Sequence, residues 1–206
     1  MQTIDPKWLD INGFVKPQPS EKPSDNGVLF SAVAIVLGFQ VDNYPALVKS
    51  CFLEIGLLAR WPKNNFDQAA WDDYLGAAVG SLYLGDTEVP RALLWYGVKH
   101  GFIYNTDGKL EGKDWLLRNI PIWGLMFAAA FPKLKLLAYP ALYFTQLFFS
   151  TPNLNDTSAI QLQWMFLKGA EKLGFRFQKL DEHESIIKEA LKIYYHADHP
   201  FNKEAR

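Results

Sequence analysis

Cysteine is nearly missing from this chain: Cys51 is alone. That excludes an intramolecular disulfide and any cysteine-based zinc cluster, and leaves the redox compartment open. Charge of one sign is missing too, because 21 Lys plus Arg stand against 22 Asp plus Glu for a formal net charge of −1. No chain-wide positive field exists to draw in nucleic acid, which is not expected as a partner, and polyanion binding would need a local patch. The first ten residues are polar, contain Pro6, and lack a basic start and an apolar stretch, so no signal peptide is read. The most apolar segments, residues 120–131 and 136–149, fall short of the about 20 residues that cross a bilayer, and the second contains Pro140. A buried helical hairpin is expected there, with membrane-surface association as the lesser alternative, and no transmembrane segment. Walker-type, GxGxxG, GxSxG and HExxH motifs are also lacking. Nucleotide, hydride and serine-hydrolase chemistry is therefore not expected, nor any cofactor.

What is abundant is aromatic surface, 15% of the residues with seven Trp, in a chain of 206 residues that is 49% hydrophobic. That length fits one well-cored domain, and the surplus of rings suits either an aromatic cleft or a protein interface. Residues 1–24 hold four of the twelve prolines, Pro6, Pro17, Pro19 and Pro23, and few aliphatics. They read as an extended proline-rich arm outside the core, anchored by Trp8 and Phe14 and able to reach another subunit; a strap on its own domain is the competing reading.

Residues 25–206 read as a single helical domain. Ser24 or Asp25 caps a first helix that Gly38 stops, and Pro45 opens a second that runs to about Arg60 before Pro62. Asp72 caps a third ending at Gly85, and Thr87 a fourth ending at Gly101. Residues 102–108 (FIYNTDG) suggest a short hairpin or ordered loop. The two apolar segments, a helix over 158–173 stopped by Gly174, and another over 184–195 bring the count to about eight helices in sequential pairs, an all-α chain.

Three groups of residues invite a chemical reading. On the second helix, Leu47, Cys51, Ile55 and Leu58 share an apolar face into which Glu54 falls. A carboxylate there is a general-acid candidate unless a neighbouring cation pairs with it. Trp71, Asp72, Asp73 and Tyr74 place paired carboxylates beside rings, the ingredients for acid–base work on a glycosidic bond with sugar stacking, to which Trp95 adds a platform. Capping explains the two aspartates equally well. His196, Asp198 and His199 have a metal-like pattern, yet no further ligands accompany them and a helix C-terminus favours histidine anyway, so no metal site is assigned.

The run DDYLGAAVGSLYLG from Asp72, the Trp95-Tyr96-Gly97 triplet, Phe102-Ile103-Tyr104-Asn105 and His199-Pro200-Phe201 together resemble small proteins encoded by tailed bacteriophages. That resemblance implies a virion or accessory protein, found in the virion or the host cytoplasm. It would act through protein–protein contacts, with phage or host partners met through the arm, as an oligomer or as part of a larger assembly. The Trp71–Tyr74 segment is more distantly similar to glycan-active enzymes built on a toroid of paired helices. This implies an open or incomplete α/α toroid, since a closed one takes more helices than are read here. It also implies an alternative role as a cell-envelope glycan-binding protein, hydrolase or lyase, with Asp72, Asp73 and Glu54 as catalytic candidates and Trp71, Tyr74 and Trp95 as sugar platforms. A host-directed inhibitor fits the size and charge as well.

Overall fold

In the computed structural model, residues 2–18, 26–62, 71–102, 115–148, 157–175 and 199–201 are described. Over them the chain is mainly helical, with two small two-stranded sheets. In order, the elements are β1 (Gln2–Thr3), α1 (Gly27–Val36), β2 (Phe39–Gln40), α2 (Tyr44–Ser50), β3 (Phe52–Glu54), β4 (Leu57–Leu58), α3 (Trp71–Leu84), α4 (Glu88–Lys99), α5 (Trp115–Ala130), α6 (Tyr139–Phe148) and α7 (Thr157–Lys172).

Helix α3 is central. Every residue from 73 to 81 is buried, whereas a surface helix would bury one stripe, and α1, α5 and α7 all lie against it. Small residues make this possible. A Cβ on Gly76 would stand 2.6 Å from the Leu29 Cα of α1, and one on Gly80 would stand 2.5 Å from the Tyr44 ring of α2. The two glycines, one turn apart, let the α1 backbone and the Tyr44 ring press onto α3. The helix ends follow the expected punctuation: Gly38, Gly85, Gly101 and Gly174 take φ of +87°, +71°, +63° and +88° just past α1, α3, α4 and α7.

Several expectations need correction, among them Asp72 as the cap of the third helix, since α3 already begins at Trp71. The second helix does not run to Arg60. It ends at Ser50, and β3 and β4 form an antiparallel hairpin. Its turn is Gly56, at φ +93°, where a side chain would strike the Ala92 carbonyl and Tyr96 of α4. Glu54 therefore lies on a strand and is exposed, not on a buried helical face. Thr87 occupies the cap position of α4 without a side-chain bond, and Asp86 does the capping, its carboxylate accepting from the Glu88 and Val89 amides at 3.1 and 3.3 Å. Finally, α5 and α6 do pack together, but a 3-10 run, Pro132–Ala138, separates them, and Leu136 and Leu137 belong to that exposed run rather than to a buried helix. Residues 103–108 and 184–195 lie outside the described residues.

The N-terminal segment behaves as a strap over its described part. Strand β1 pairs in parallel with β2, and Leu9 bridges to Val15. Asp10 Oδ1 accepts from the Asn12 and Phe14 amides, and the Val15 amide donates to Ser31 Oγ on α1. Ile4, Trp8, Phe14 and Val15 join the hydrophobic core, so residues 2–18 are not an arm free of it.

Candidate functional site

The start of α3, where the carboxylates and rings were expected to meet a substrate, is occupied by structural work. Asp73 is fully buried, and its Oδ1 accepts from the Leu29 amide at 3.2 Å, with the Val28 amide adding a second bond. Those are the second and third helical residues of α1, whose own cap residue Asn26 makes no side-chain capping bond to the helix. Asp73 thus caps a neighbouring helix rather than its own. Burial dominates its electrostatics and pushes the carboxyl well above the usual carboxylate range. The Leu29 amide opposes that shift, Asp72 adds to it, and Arg60 and the Val28 amide oppose it.

Tyr74, the next residue, is 2% exposed, and its hydroxyl accepts from the Leu58 amide at 3.0 Å, tying the hairpin to α3. A ring so covered offers no platform for a sugar. Burial pushes its hydroxyl far above the ordinary phenol range. Trp71 is half-buried and packs on Tyr74 and Trp123 with ring centres 5.3 and 5.8 Å apart, while Phe102 meets Trp123 at 5.0 Å. Asp72 is half-buried beside this group. The other two candidates stand at the surface. Glu54 accepts from the Tyr96 hydroxyl, which burial first and Glu54 second hold above its ordinary value. Trp95 is 70% exposed on the outer face of α4. The structure thus brings Trp71, Asp72, Asp73 and Tyr74 together, two of them inside, and leaves Glu54 and Trp95 outside. Cys51 is buried, and its thiol is pushed up to about 12, chiefly by burial, which fits a small core residue.

His199 is likewise engaged. Its ring is fully buried, the Phe201 amide donates to Nδ1 at 3.3 Å, and Nε2 lies 3.1 Å from the Lys16 carbonyl. With Nδ1 accepting, Nε2 carries the proton and donates to Lys16. Trp8 stands edge-on to this ring at 4.5 Å, and Phe39 meets Phe201 at 5.5 Å. The histidine clasps the strap to the other end of the described chain and has no nitrogen left for a metal. His196 and Asp198 lie outside the described residues, and among those described no group of His, Cys, Asp or Glu could hold a metal ion.

Two surface features stand out. On α4, Arg91, Trp95 and Val98 share one exposed face, with Trp95 at 70% and Val98 at 58% exposure. Between α5 and α6, the 3-10 run exposes Leu134, Leu136 and Leu137 at 50%, 65% and 66%, and Tyr143 on α6 is 60% exposed. Comparison with protein-family models, with curated proteins and with solved structures finds no match for this chain.

Proposed function

We propose that this protein is a virion or accessory protein of a tailed bacteriophage that works by contact with other phage or host proteins rather than by catalysis. Trp95 carries the reading. An indole left 70% in water, in line with Arg91 and Val98 on one helix face, has no role in the core described above. Tryptophan and arginine are the side chains that dominate protein interfaces once a partner covers them. The phage assignment rests on the DDYLGAAVGSLYLG and HPF segments. The frame is read as about eight helices in antiparallel pairs, an open toroid, in the virion or the host cytoplasm. Since residues 2–18 belong to the core, the contact surface moves from the N-terminal arm to the outer face of α4.

Light scattering of the purified chain and co-sedimentation with phage particles test this. The wild type is expected to assemble or to travel with particles, and Trp95→Glu to weaken that association about ten-fold or more without loss of helicity. A wild type that stays monomeric and ignores both particles and host proteins contradicts the reading.

A glycan-active role keeps one observation in its favour, the Trp71–Trp123–Phe102 ring group with half-buried Asp72 beside it. Release of reducing ends from peptidoglycan or lipopolysaccharide glycan, abolished by Asp72→Asn, would replace the contact reading with this one. A stoichiometric complex with one host protein would instead favour the host-directed inhibitor.

A further inference from the structure

The 3-10 run Pro132–Ala138 reverses the usual distribution of side chains. Lys135 Nζ and the Tyr139 hydroxyl both donate to the Leu173 carbonyl just past α7, at 3.4 and 3.1 Å. Lys135 and Tyr139 are thereby turned inward as a cap, and Leu134, Leu136 and Leu137 stand outward at 50%, 65% and 66% exposure. An ordinary surface would hide the leucines and expose the lysine. Lys133 is exposed beside them, and the Arg91 guanidinium lies 5.5 Å over the Phe131 ring at the edge of the ridge. Tyr143, 60% exposed, adds an amphipathic ring. The charge pattern agrees: no Asp or Glu occurs between Asp114 and Asp156, a stretch that carries Arg118, Lys133 and Lys135.

We infer that this ridge rests on an anionic lipid surface, with Leu134, Leu136 and Leu137 entering the headgroup–acyl boundary and Lys133 meeting the phosphates. A partner that is apolar at depth and negative at its rim matches leucines set beside a cation with no carboxylate in the segment. A protein contact at the same ridge is the competing outcome, which the test below separates. The contact is superficial, since no helix among the described residues is long and apolar enough to cross a membrane. It goes beyond the protein-contact reading, which rests on the face of α4.

The test is sedimentation of the full chain with vesicles of phosphatidylcholine alone and of phosphatidylcholine mixed with phosphatidylglycerol. The wild type is expected to bind the mixed vesicles at least about ten-fold more strongly than the neutral ones. The double variant L136S/L137S should lose about ten-fold or more on the mixed vesicles, and Lys133→Glu should weaken binding to these while leaving the neutral vesicles unaffected. Circular dichroism and melting confirm that each variant is folded. Failure of the wild type to sediment with mixed vesicles overturns the inference, as does binding that L136S/L137S leaves unchanged. If the wild type ignores vesicles and L136S/L137S instead loses association with particles, the ridge is a protein contact and the lipid proposal is wrong. Particle association of Trp95→Glu is read separately, so the two readings fail independently.

Discussion

The start of α3 and the ridge between α5 and α6 depart from the usual polarity of a globular chain in opposite directions. At the first, a carboxyl is fully buried; at the second, leucines face water. The difference lies in what each departure is joined to. Asp73 is held by the Val28 and Leu29 amides and repays its burial by completing α1. The leucines of the ridge are held out by a cap that uses Lys135 and Tyr139, and no comparable folding gain follows from their exposure. The buried carboxyl is tied into the fold through Oδ1 although its Oδ2 has no bond, and the exposed leucines have no such tie, which is why the lipid proposal rests on them.

The sharpest way to break this contrast is at Gly76. Gly76→Val would push a side chain into the α1 backbone, where a Cβ alone would already stand 2.6 Å from Leu29 Cα. A loss of about 3 kcal/mol or more is expected in urea unfolding, because backbone rather than a side-chain tip must give way. A loss below about 1 kcal/mol would mean that α1 and α3 are not pressed together as described.

Asp73 comes next. Asp73→Ala leaves two helix amides without their acceptor and should cost about 2–3 kcal/mol. Asp73→Asn keeps an acceptor and removes the charge, which isolates the pH dependence. Burial raises the native pKa above the unfolded value of about 3.9, so the native state keeps a proton that the unfolded chain gives up. Wild-type stability relative to Asp73→Asn is therefore expected to fall as pH rises from about 4 and through the raised native pKa. Urea midpoints across pH measure this, and a difference that stays flat would show that the carboxyl is not buried as described. At the ridge the expected effect is smallest: L136S/L137S should change stability by no more than about 0.5 kcal/mol. A larger loss would make those leucines part of the core and erase the contrast.

Much of the helical frame was legible because it is written in local residues. The glycines that end α1, α3, α4 and α7 sit at positive φ, as their positions past each apolar run imply. The hairpin was misread because Leu47, Cys51, Ile55 and Leu58 satisfy a helical period by coincidence, while Gly56, the residue that turns the chain, is a single glycine in an otherwise periodic run. The role of Asp73 was half legible. Its aptitude for capping is intrinsic, but the helix it caps lies 44 residues earlier, and no local pattern states that pairing. The ridge is hidden for a similar reason: whether Leu136 and Leu137 face inward depends on Lys135 and Tyr139 finding the Leu173 carbonyl just past α7.

The clasp at His199 has a consequence for synthesis. The bond between its ring and the Lys16 carbonyl joins positions 183 residues apart. On the ribosome, Trp8 and Phe39 are made early and wait without the rings of His199 and Phe201 that finally cover them. The strap can seat fully only after residues 199–201 have left the exit tunnel, so these contacts form late relative to those among α1, α3 and α4. A transcript cut short upstream of His199 would yield a chain with its helices formed and its N-terminal aromatics bare, a natural substrate for chaperones and proteases.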